Sequence, residues 1–196
     1  MQLDLFYEIS QPPQLNRSEA DAFEQTLNEI ALADQLGFGC AWLVEHHFMR
    51  GYSHTSKPDL VLAAASQRTR NIRLGLAVTP LPYHHPVHVA ERAAILDILS
   101  KGRFELGIGR GFSPQEYTAF GADMRHSRTL TAESLAILQL AFSRQPVTFH
   151  GEHYQLDNLD ILPHAIQQPH PPIWTAAVSP DTFIWAAQEQ LGMTAC

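Results

Sequence analysis

The sequence predicts an α/β fold in which parallel strands alternate with helices along its 196 residues. Five apolar runs typical of buried strands are separated by segments with helical periodicity, which is the pattern of βαβ units. An open doubly wound sheet and a (β/α)8 barrel both fit this pattern. No G-x-G-x-x-G follows the first strand, which disfavours a dinucleotide-binding open sheet. A full barrel needs about 250 residues, so a barrel made from this chain would be truncated to about five or six βα units.

Strands are predicted where short apolar or β-branched runs are bounded by turn signals. They fall at 2–9, 38–44, 72–79, within 101–111, and at 172–177, and 193–196 reads as the start of a sixth. The run at 38–44 is continuously apolar, as expected of a strand buried on both faces. Between 147 and 156, His150-Gly151-Glu152 separates two β-prone triplets, which predicts a hairpin.

Helices are predicted from the 3.6-residue period and from their start and stop signals. They fall at 18–37, 59–69, 87–99, 114–120, 127–142 and 180–191. Ser18 is a candidate N-cap, and Gly37 a stop signal, while Ser113 and Ser179 are N-caps followed by proline. The candidate buried faces are Phe23, Leu27, Ile30, Ala31 and Leu36 in the first helix, and Val89, Ala93, Leu96 and Leu99 in the third.

Composition limits the classes of function. The chain is 45% hydrophobic and 17% charged, which is typical of a globular domain with a substantial core. A net charge of −7 without a basic run argues against nucleic acid as a partner. No apolar stretch is long enough for a membrane span, and 1–9 lacks the pattern of a signal peptide. Two cysteines are too few for a disulfide framework, so we expect a cytoplasmic protein.

The carboxyl ends of the strands carry the residues suited to chemistry, because active sites of parallel βα folds lie there. Arg110 stands between two glycines after the fourth strand and could bind phosphate or carboxylate. Ser179 begins the helix after the fifth strand, and Thr182 lies one turn further. Since a helix N-terminus favours anions, these residues together predict an anion site. Taken singly, Arg110 could be solvated and Ser179 a plain N-cap.

His46 and His47 follow the second strand and would point to opposite faces if the strand continued. A histidine in the pocket could act as a general base, or it could be a hydrogen-bonded structural residue. Five histidines are candidate metal ligands, namely His46, His47, His84, His85 and His88. His84, His85 and His88 belong to one loop and helix start, and no nearby carboxylate completes a zinc set there, so no metal is predicted. No serine or cysteine occupies a nucleophile elbow.

Five segments in this order resemble the bacterial luciferase-like flavin-dependent monooxygenases, in particular relatives of the luciferase alpha subunit. The segments are WLVEHHF at 42–48, LGLAVTPLPYHHPV at 74–87, KGRFELGIGRG at 101–111, FGADMRHSRTL at 120–130 and PPIWTAAVSPDT from 171. The resemblance implies a (β/α)8 TIM-barrel type, with 1–196 as a single luciferase-like barrel domain that is the N-terminal portion of an incomplete barrel.

The resemblance also implies a cofactor and site residues. FMN would lie at the carboxyl ends of the strands, with His46 matching the catalytic histidine. Arg110, Ser179 and Thr182 match contacts to the flavin phosphate. Ala77-Val78 matches a strand end beneath the flavin ring, where the family often has a non-proline cis peptide. Gly109 stands where light-emitting members have a reactive cysteine, which argues against light emission, and Val178 stands where they have a glutamate.

Two hypotheses follow from the resemblance. The first is a flavin-dependent monooxygenase acting on paired donors, which uses reduced FMN and O2 on a small organic substrate; a variant uses a deazaflavin and transfers hydride. Its expected partners are a flavin reductase, as the source of reduced FMN, and a second subunit in a homodimer or heterodimer. The second is a non-catalytic flavin-binding or subunit-interaction protein built on a degenerate half-barrel.

Overall fold

The computed structural model describes residues 2–194, and within that range it contains nine strands and six α-helices. In chain order they are β1 (Leu5–Tyr7), α1 (Glu19–Leu36), β2 (Cys40–Leu43), α2 (Pro58–Arg68), β3 (Arg73–Leu76), β4 (Thr79–Pro80), α3 (Pro86–Ser100), β5 (Phe104–Gly109), α4 (Pro114–Ala119), α5 (Ser127–Phe142), β6 (Val147–His150), β7 (Gln155–Leu159), β8 (Ile173–Ala176), α6 (Pro180–Gln188) and β9 (Gly192–Thr194). None of these helices is long and apolar enough to cross a bilayer.

The main sheet is parallel and follows chain order, as the βα alternation predicts. Its strands are arranged β1-β2-β3-β5-β8-β9, and β4 pairs with β5. Helices α1, α2, α3 and α5 pack on one another in sequence. No reversal of strand order occurs within the described residues, which is the topology of a half-barrel rather than of a doubly wound sheet.

Two further predictions about strands are confirmed within the described range. β6 and β7 form the predicted antiparallel hairpin outside the main sheet. The predicted sixth strand is present as β9, although Ala195 and Cys196 lie outside the described residues. The predicted third strand differs, because it is divided into β3 and β4 at Ala77 and Val78.

The buried face of α1 differs from the periodicity prediction, whereas that of α3 differs only at Leu99. In α1 the buried positions are Ala22, Thr26, Ile30 and Ala33, whereas Leu36 is 66% exposed. In α3, Val89, Ala93 and Leu96 are buried as expected, but Leu99 is 39% exposed. Three of the four buried positions in α1, Ala22, Thr26 and Ala33, carry short side chains, while Phe23 and Leu27 are only partly buried against the core. The bulkiest apolar side chains therefore do not by themselves define the buried face of α1.

Apolar residues cover both faces of the sheet. The larger core lies between sheet and helices and contains Ala41 and Leu43 of β2. The alternate residues, Cys40 and Trp42, face the opposite side and pack with Ala77 and Trp174. The Trp42 and Trp174 rings meet edge to face at 5.5 Å. β2 is therefore buried on both faces, as its continuous apolar run predicts.

Two buried residues stabilise the centre of the sheet and the long connection to β8. Asp97 of α3 is fully buried and accepts hydrogen bonds from the backbone N–H groups of Ile166 (2.7 Å) and Gln167 (2.8 Å) and from the Gln167 amide (2.7 Å). Gly107 of β5 lies so close to β3 that a Cβ there would be 1.8 Å from the Leu76 carbonyl oxygen. The connection to β8 and the β3–β5 strand pair therefore depend on close contacts that tolerate few substitutions.

Candidate functional site

A cavity of about 1040 Å³ lies at the carboxyl ends of β1, β2, β4, β5 and β8. Part of its wall is aromatic or aliphatic and includes Phe6, Phe112, Val178 and Trp185. Phe112 is 64% and Val178 71% exposed, which leaves apolar surface open to a ligand. The position agrees with the general location of active sites in parallel βα folds.

The structure brings the sequence-predicted site residues together. His46, Ala77, Val78, Arg110 and Thr182 line the cavity, and Ser179 caps the helix that borders it. The Ala77–Val78 peptide bond is cis, as the family resemblance implies. Residues from four separate segments of the chain therefore line one cavity.

His46 is placed by its backbone, since β2 ends at Leu43 and the strand does not continue to it. The His46 N–H donates to the Thr55 carbonyl oxygen at 3.2 Å. Its Nε2 lies 3.8 Å from Oε2 of Glu8, which follows β1. The ring also contacts Phe112 edge-on, with centroids 5.5 Å apart. His46 thus lines the cavity with its imidazole beside an acidic group.

His47 has a structural environment instead. It is buried, its Nε2 lies 3.1 Å from Glu45 Oε1, and its backbone N–H donates to Glu116 Oε1 at 2.8 Å. Its ring packs edge-on against Phe120 with centroids 4.7 Å apart. Of the two adjacent histidines only His46 lines the cavity, because the loop, rather than strand alternation, orients them.

The Glu45 carboxylate is a buried anion at the base of the cavity. Besides His47 it contacts His84 Nε2 at 2.6 Å, and Lys57 Nζ lies 3.8 Å away. Burial alone would raise the pKa of Glu45, but the hydrogen bonds from His47 and His84 and the positive charge of Lys57 lower the pKa to about 2. Glu45 therefore stays ionised at neutral pH, with three basic residues around its carboxylate.

The start of α6 has the chemistry of an anion site. The Ser179 side chain accepts from the Thr182 N–H at 3.4 Å, and the two hydroxyl oxygens are 2.9 Å apart. Arg128, at the start of α5, pairs with Asp181 at 3.1 Å, and both line the cavity. Hydroxyls, an arginine and the positive end of a helix together suit a phosphate group.

Glycines bring the β5 backbone close to this region. Gly111 follows Arg110 with φ +71°, a conformation that favours glycine. The Tyr117 hydroxyl donates to the Arg110 carbonyl oxygen, which fixes the backbone beside the exposed guanidinium. A Cβ at Gly109 would lie 2.4 Å from Val78 Cγ2, so Val78 occupies the room that a side chain at this position would need.

Several polar residues of the cavity were not predicted from the sequence, among them Glu8, Arg128 and Thr131. Glu8 could have been found as the polar residue at the end of the first strand. Arg128 and Thr131 lie at the start of α5, so a search of strand ends does not select them. Glu8 Oε2 and Thr131 Oγ1 are buried without a hydrogen-bond partner among the described residues. Such atoms in a cavity wall are suited to bind a polar ligand.

Comparison with known proteins agrees with this geometry. A family model described as luciferase-like monooxygenase matches residues 1–195. The alkanal monooxygenase alpha chain of Photorhabdus luminescens is 33% identical over 183 residues, which cover 93% of this chain and 50% of the relative. The chain thus spans about half the length of the curated relatives it matches.

Solved structures share the fold. A monooxygenase from Streptomyces bottropensis superposes with a TM-score of 0.92 at 31% identity, covering 98% of this chain and 59% of that one. The oxygenating constituent of 3,6-diketocamphane monooxygenase from Pseudomonas putida, solved in complex with FMN, superposes with a TM-score of 0.86 at 24% identity over 100% of this chain and 57% of that one. From the family match, the parallel half-barrel and the cavity at its strand ends, the chain belongs to the luciferase-like monooxygenase family.

Proposed function

We propose that the chain contributes the flavin site of a monooxygenase that uses reduced FMN and O2 to oxygenate a small organic substrate. The observation that carries the proposal is one cavity with His46 on one wall and an anion site, formed by Arg110 and the start of α6, on another. The FMN complex of the Pseudomonas putida relative supports this cofactor. Because the chain spans about half of its relatives' length, the activity belongs to the proposal and not to the family assignment.

The residues present fit FMN in charge and shape. Arg110 and Arg128 would neutralise the phosphate, while Ser179 and Thr182 would offer hydroxyls at the start of α6. Ala77 and Val78, which line the same cavity, would contact the flavin ring. Bound reduced FMN would supply the activation of O2. The Arg128–Asp181 pair is exposed, so Arg128 can turn to a phosphate at little cost.

The cavity has room for a substrate beside the cofactor. Its volume of about 1040 Å³ is at the upper end of the roughly 300–1,000 Å³ of ordinary ligand sites. Its apolar lining of Phe6, Phe112 and Trp185 favours a substrate with a hydrophobic body. We propose that 1–196 is the N-terminal portion of a barrel domain that works as a homodimer or heterodimer, with a separate flavin reductase.

His46 would exchange a proton with the reacting groups at Nε2. His46 lines the cavity, and Glu8 Oε2, 3.8 Å from this nitrogen, would orient the ring. General acid–base residues typically contribute about 10²–10⁴-fold to turnover. The phosphate contacts lie on α6 and after β5, so removing the imidazole should change turnover much more than FMN affinity.

The test compares His46→Ala with the parent in the full-length protein, supplied with reduced FMN, O2 and a panel of small apolar aldehydes and ketones. We expect turnover to fall by about 10²–10⁴-fold while FMN affinity stays within about tenfold. His88→Ala, which removes an exposed histidine paired with Glu91, serves as the matched control. Unchanged turnover in the His46 variant would contradict the proposed role.

Two further outcomes decide between the alternatives. A parent protein that binds FMN but never consumes O2 faster than free reduced flavin would favour the non-catalytic flavin-binding or subunit-interaction reading. A parent that binds a deazaflavin in preference to FMN in the same titration would favour hydride transfer instead of oxygenation.

A further inference from the structure

Three side chains with metal-binding chemistry lie together outside the cavity. His126 ends the helical turn before α5, while Glu152 and His153 belong to the turn between β6 and β7. One ligand atom from each lies within 4.8 Å of the other two. The five histidines that the sequence suggested as metal candidates are not members of this group.

The turn that carries two of these residues is held in place by Glu133 of α5. The Glu133 carboxylate accepts hydrogen bonds from the backbone N–H groups of Glu152 (2.6 Å), His153 (3.0 Å) and Tyr154 (3.2 Å). Three bonds from successive residues to one carboxylate fix the path of the turn beside α5. Glu152 and His153 are therefore positioned by their backbone before any ligand arrives.

The two histidine rings are also oriented. The Thr129 hydroxyl oxygen lies 2.7 Å from His153 Nε2, which limits rotation of that ring. The His126 and His153 rings meet edge-on, with an interplanar angle of 67° and centroids 5.5 Å apart. Hydrogen bonds of this kind, made to metal-binding histidines by neighbouring groups, are a common feature of metal sites.

We propose that His126, Glu152 and His153 bind a divalent transition-metal ion, with Zn²⁺ as the best match. Two imidazole nitrogens and one carboxylate oxygen are ligands that Zn²⁺ accepts, with water in a fourth position, whereas Mg²⁺ and Ca²⁺ prefer oxygen alone. Zn²⁺ bonds of about 2.0–2.2 Å place tetrahedral ligand atoms roughly 3.4 Å apart. His126 and Glu152 are exposed, so small side-chain rotations can close the group to that spacing.

The ion would join the β6–β7 hairpin to the start of α5. That junction borders the cavity, because Thr129, which contacts His153, and its neighbour Arg128 both line it. Metal binding would thus stabilise the hairpin and order the segment that carries Arg128. The site is independent of the proposed oxygenation, since no cavity side chain is a ligand.

The experiment uses the 196-residue chain, stripped with EDTA and titrated with Zn²⁺ by calorimetry, with Mg²⁺ as a second arm. We expect one Zn²⁺ per chain and no Mg²⁺ binding. His126→Ala, His153→Ala and Glu152→Gln should each lower Zn²⁺ affinity by at least about tenfold. In thermal unfolding, Zn²⁺ should raise the midpoint of the parent and have little effect on the three variants.

His150→Ala is the matched control, because His150 lies in the same hairpin but pairs with Asp157 at 2.7 Å. This variant should bind Zn²⁺ like the parent. Parent-like Zn²⁺ affinity in His126→Ala or His153→Ala would contradict the proposed site. An equal loss of Zn²⁺ affinity in His150→Ala would contradict it as well. Circular dichroism before titration checks that each variant is folded, and the Glu152→Gln variant keeps the test decisive if a histidine variant is not.

Discussion

The charge of Glu45 can be isolated by replacing it with glutamine, which keeps the size and one carbonyl oxygen of the side chain. In the parent, Glu45 is 4% exposed and lies between His47 Nε2 at 3.1 Å and His84 Nε2 at 2.6 Å, with Lys57 Nζ at 3.8 Å. Glu45→Gln therefore leaves the geometry of the cavity base nearly intact and removes one negative charge from among three basic residues. We expect the variant to be less stable at neutral pH.

The magnitude follows from the pKa of Glu45, which falls from its ordinary 4.5 to about 2 on folding. Each pKa unit corresponds to about 1.4 kcal/mol, so the charge contributes roughly 3 kcal/mol to the free energy of unfolding. Because the folded-state pKa is the lower one, this contribution is fully present above pH 4.5 and is lost as the pH falls toward 2. The stability gap should shrink by about 1.4 kcal/mol for each pH unit in that window.

The assay is urea unfolding, followed by the fluorescence of the three tryptophans, at pH 6.0, 4.0, 3.5 and 3.0 for parent and variant. Glu189→Gln makes the same chemical change at an exposed position and is the control. Its free energy of unfolding should equal that of the parent at every pH. A gap between parent and Glu45→Gln that stays constant from pH 6.0 to 3.0 would refute the reasoning, since the effect would then not come from ionised Glu45.

Three further predictions concern the cofactor site and the core. Arg110→Ala should weaken FMN binding by about 1.5–3 kcal/mol in a fluorescence titration and leave the binding of riboflavin, which lacks the phosphate, unchanged. Arg125→Ala, outside the cavity, should change the affinity for neither flavin. An equal loss of affinity for both flavins in Arg110→Ala would mean that Arg110 acts on folding. Gly107→Ala should lower the free energy of unfolding in urea by about 3 kcal/mol or more, because the added Cβ would lie 1.8 Å from the Leu76 carbonyl oxygen. A variant as stable as the parent would disprove this close approach of β5 to β3. Asp97→Ala should cost about 3–5 kcal/mol in the same assay, because two backbone N–H groups lose their acceptor and the Gln167 amide loses one of its two. Asp160→Ala, an exposed substitution on the same connection, should cost little, and equal costs for the two variants would contradict the role of Asp97.

Much of the fold is readable from local patterns. Parallel strands in sequential order follow from βα alternation, and Ser18 and Ser179 begin helices as their spacing predicts. The candidate site could be located for the same reason, since the carboxyl ends of parallel strands lie on one edge of the sheet. His46, Arg110 and Thr182 meet there because three separate strands end at the same level.

The partners of those residues could not be read from the sequence. His84 contacts Glu45 across 39 positions, and Arg128 pairs with Asp181 across 53. Neither separation corresponds to a helical or strand period, because each contact depends on how a loop or a helix end packs on the sheet. The three-residue group at His126 was missed for the same reason, since its members come from a helix start and a hairpin turn.

The sequence by itself determined the order of elements, the parallel sheet and the edge at which a ligand would bind. These depend on local propensity and on hydrophobic period, which act within a few residues. Only the tertiary structure decided which histidine lines the cavity, which face of α1 is buried and which charges neutralise one another. Those outcomes depend on the packing of side chains between elements, where close-packed volumes and a low dielectric make distant residues act on each other.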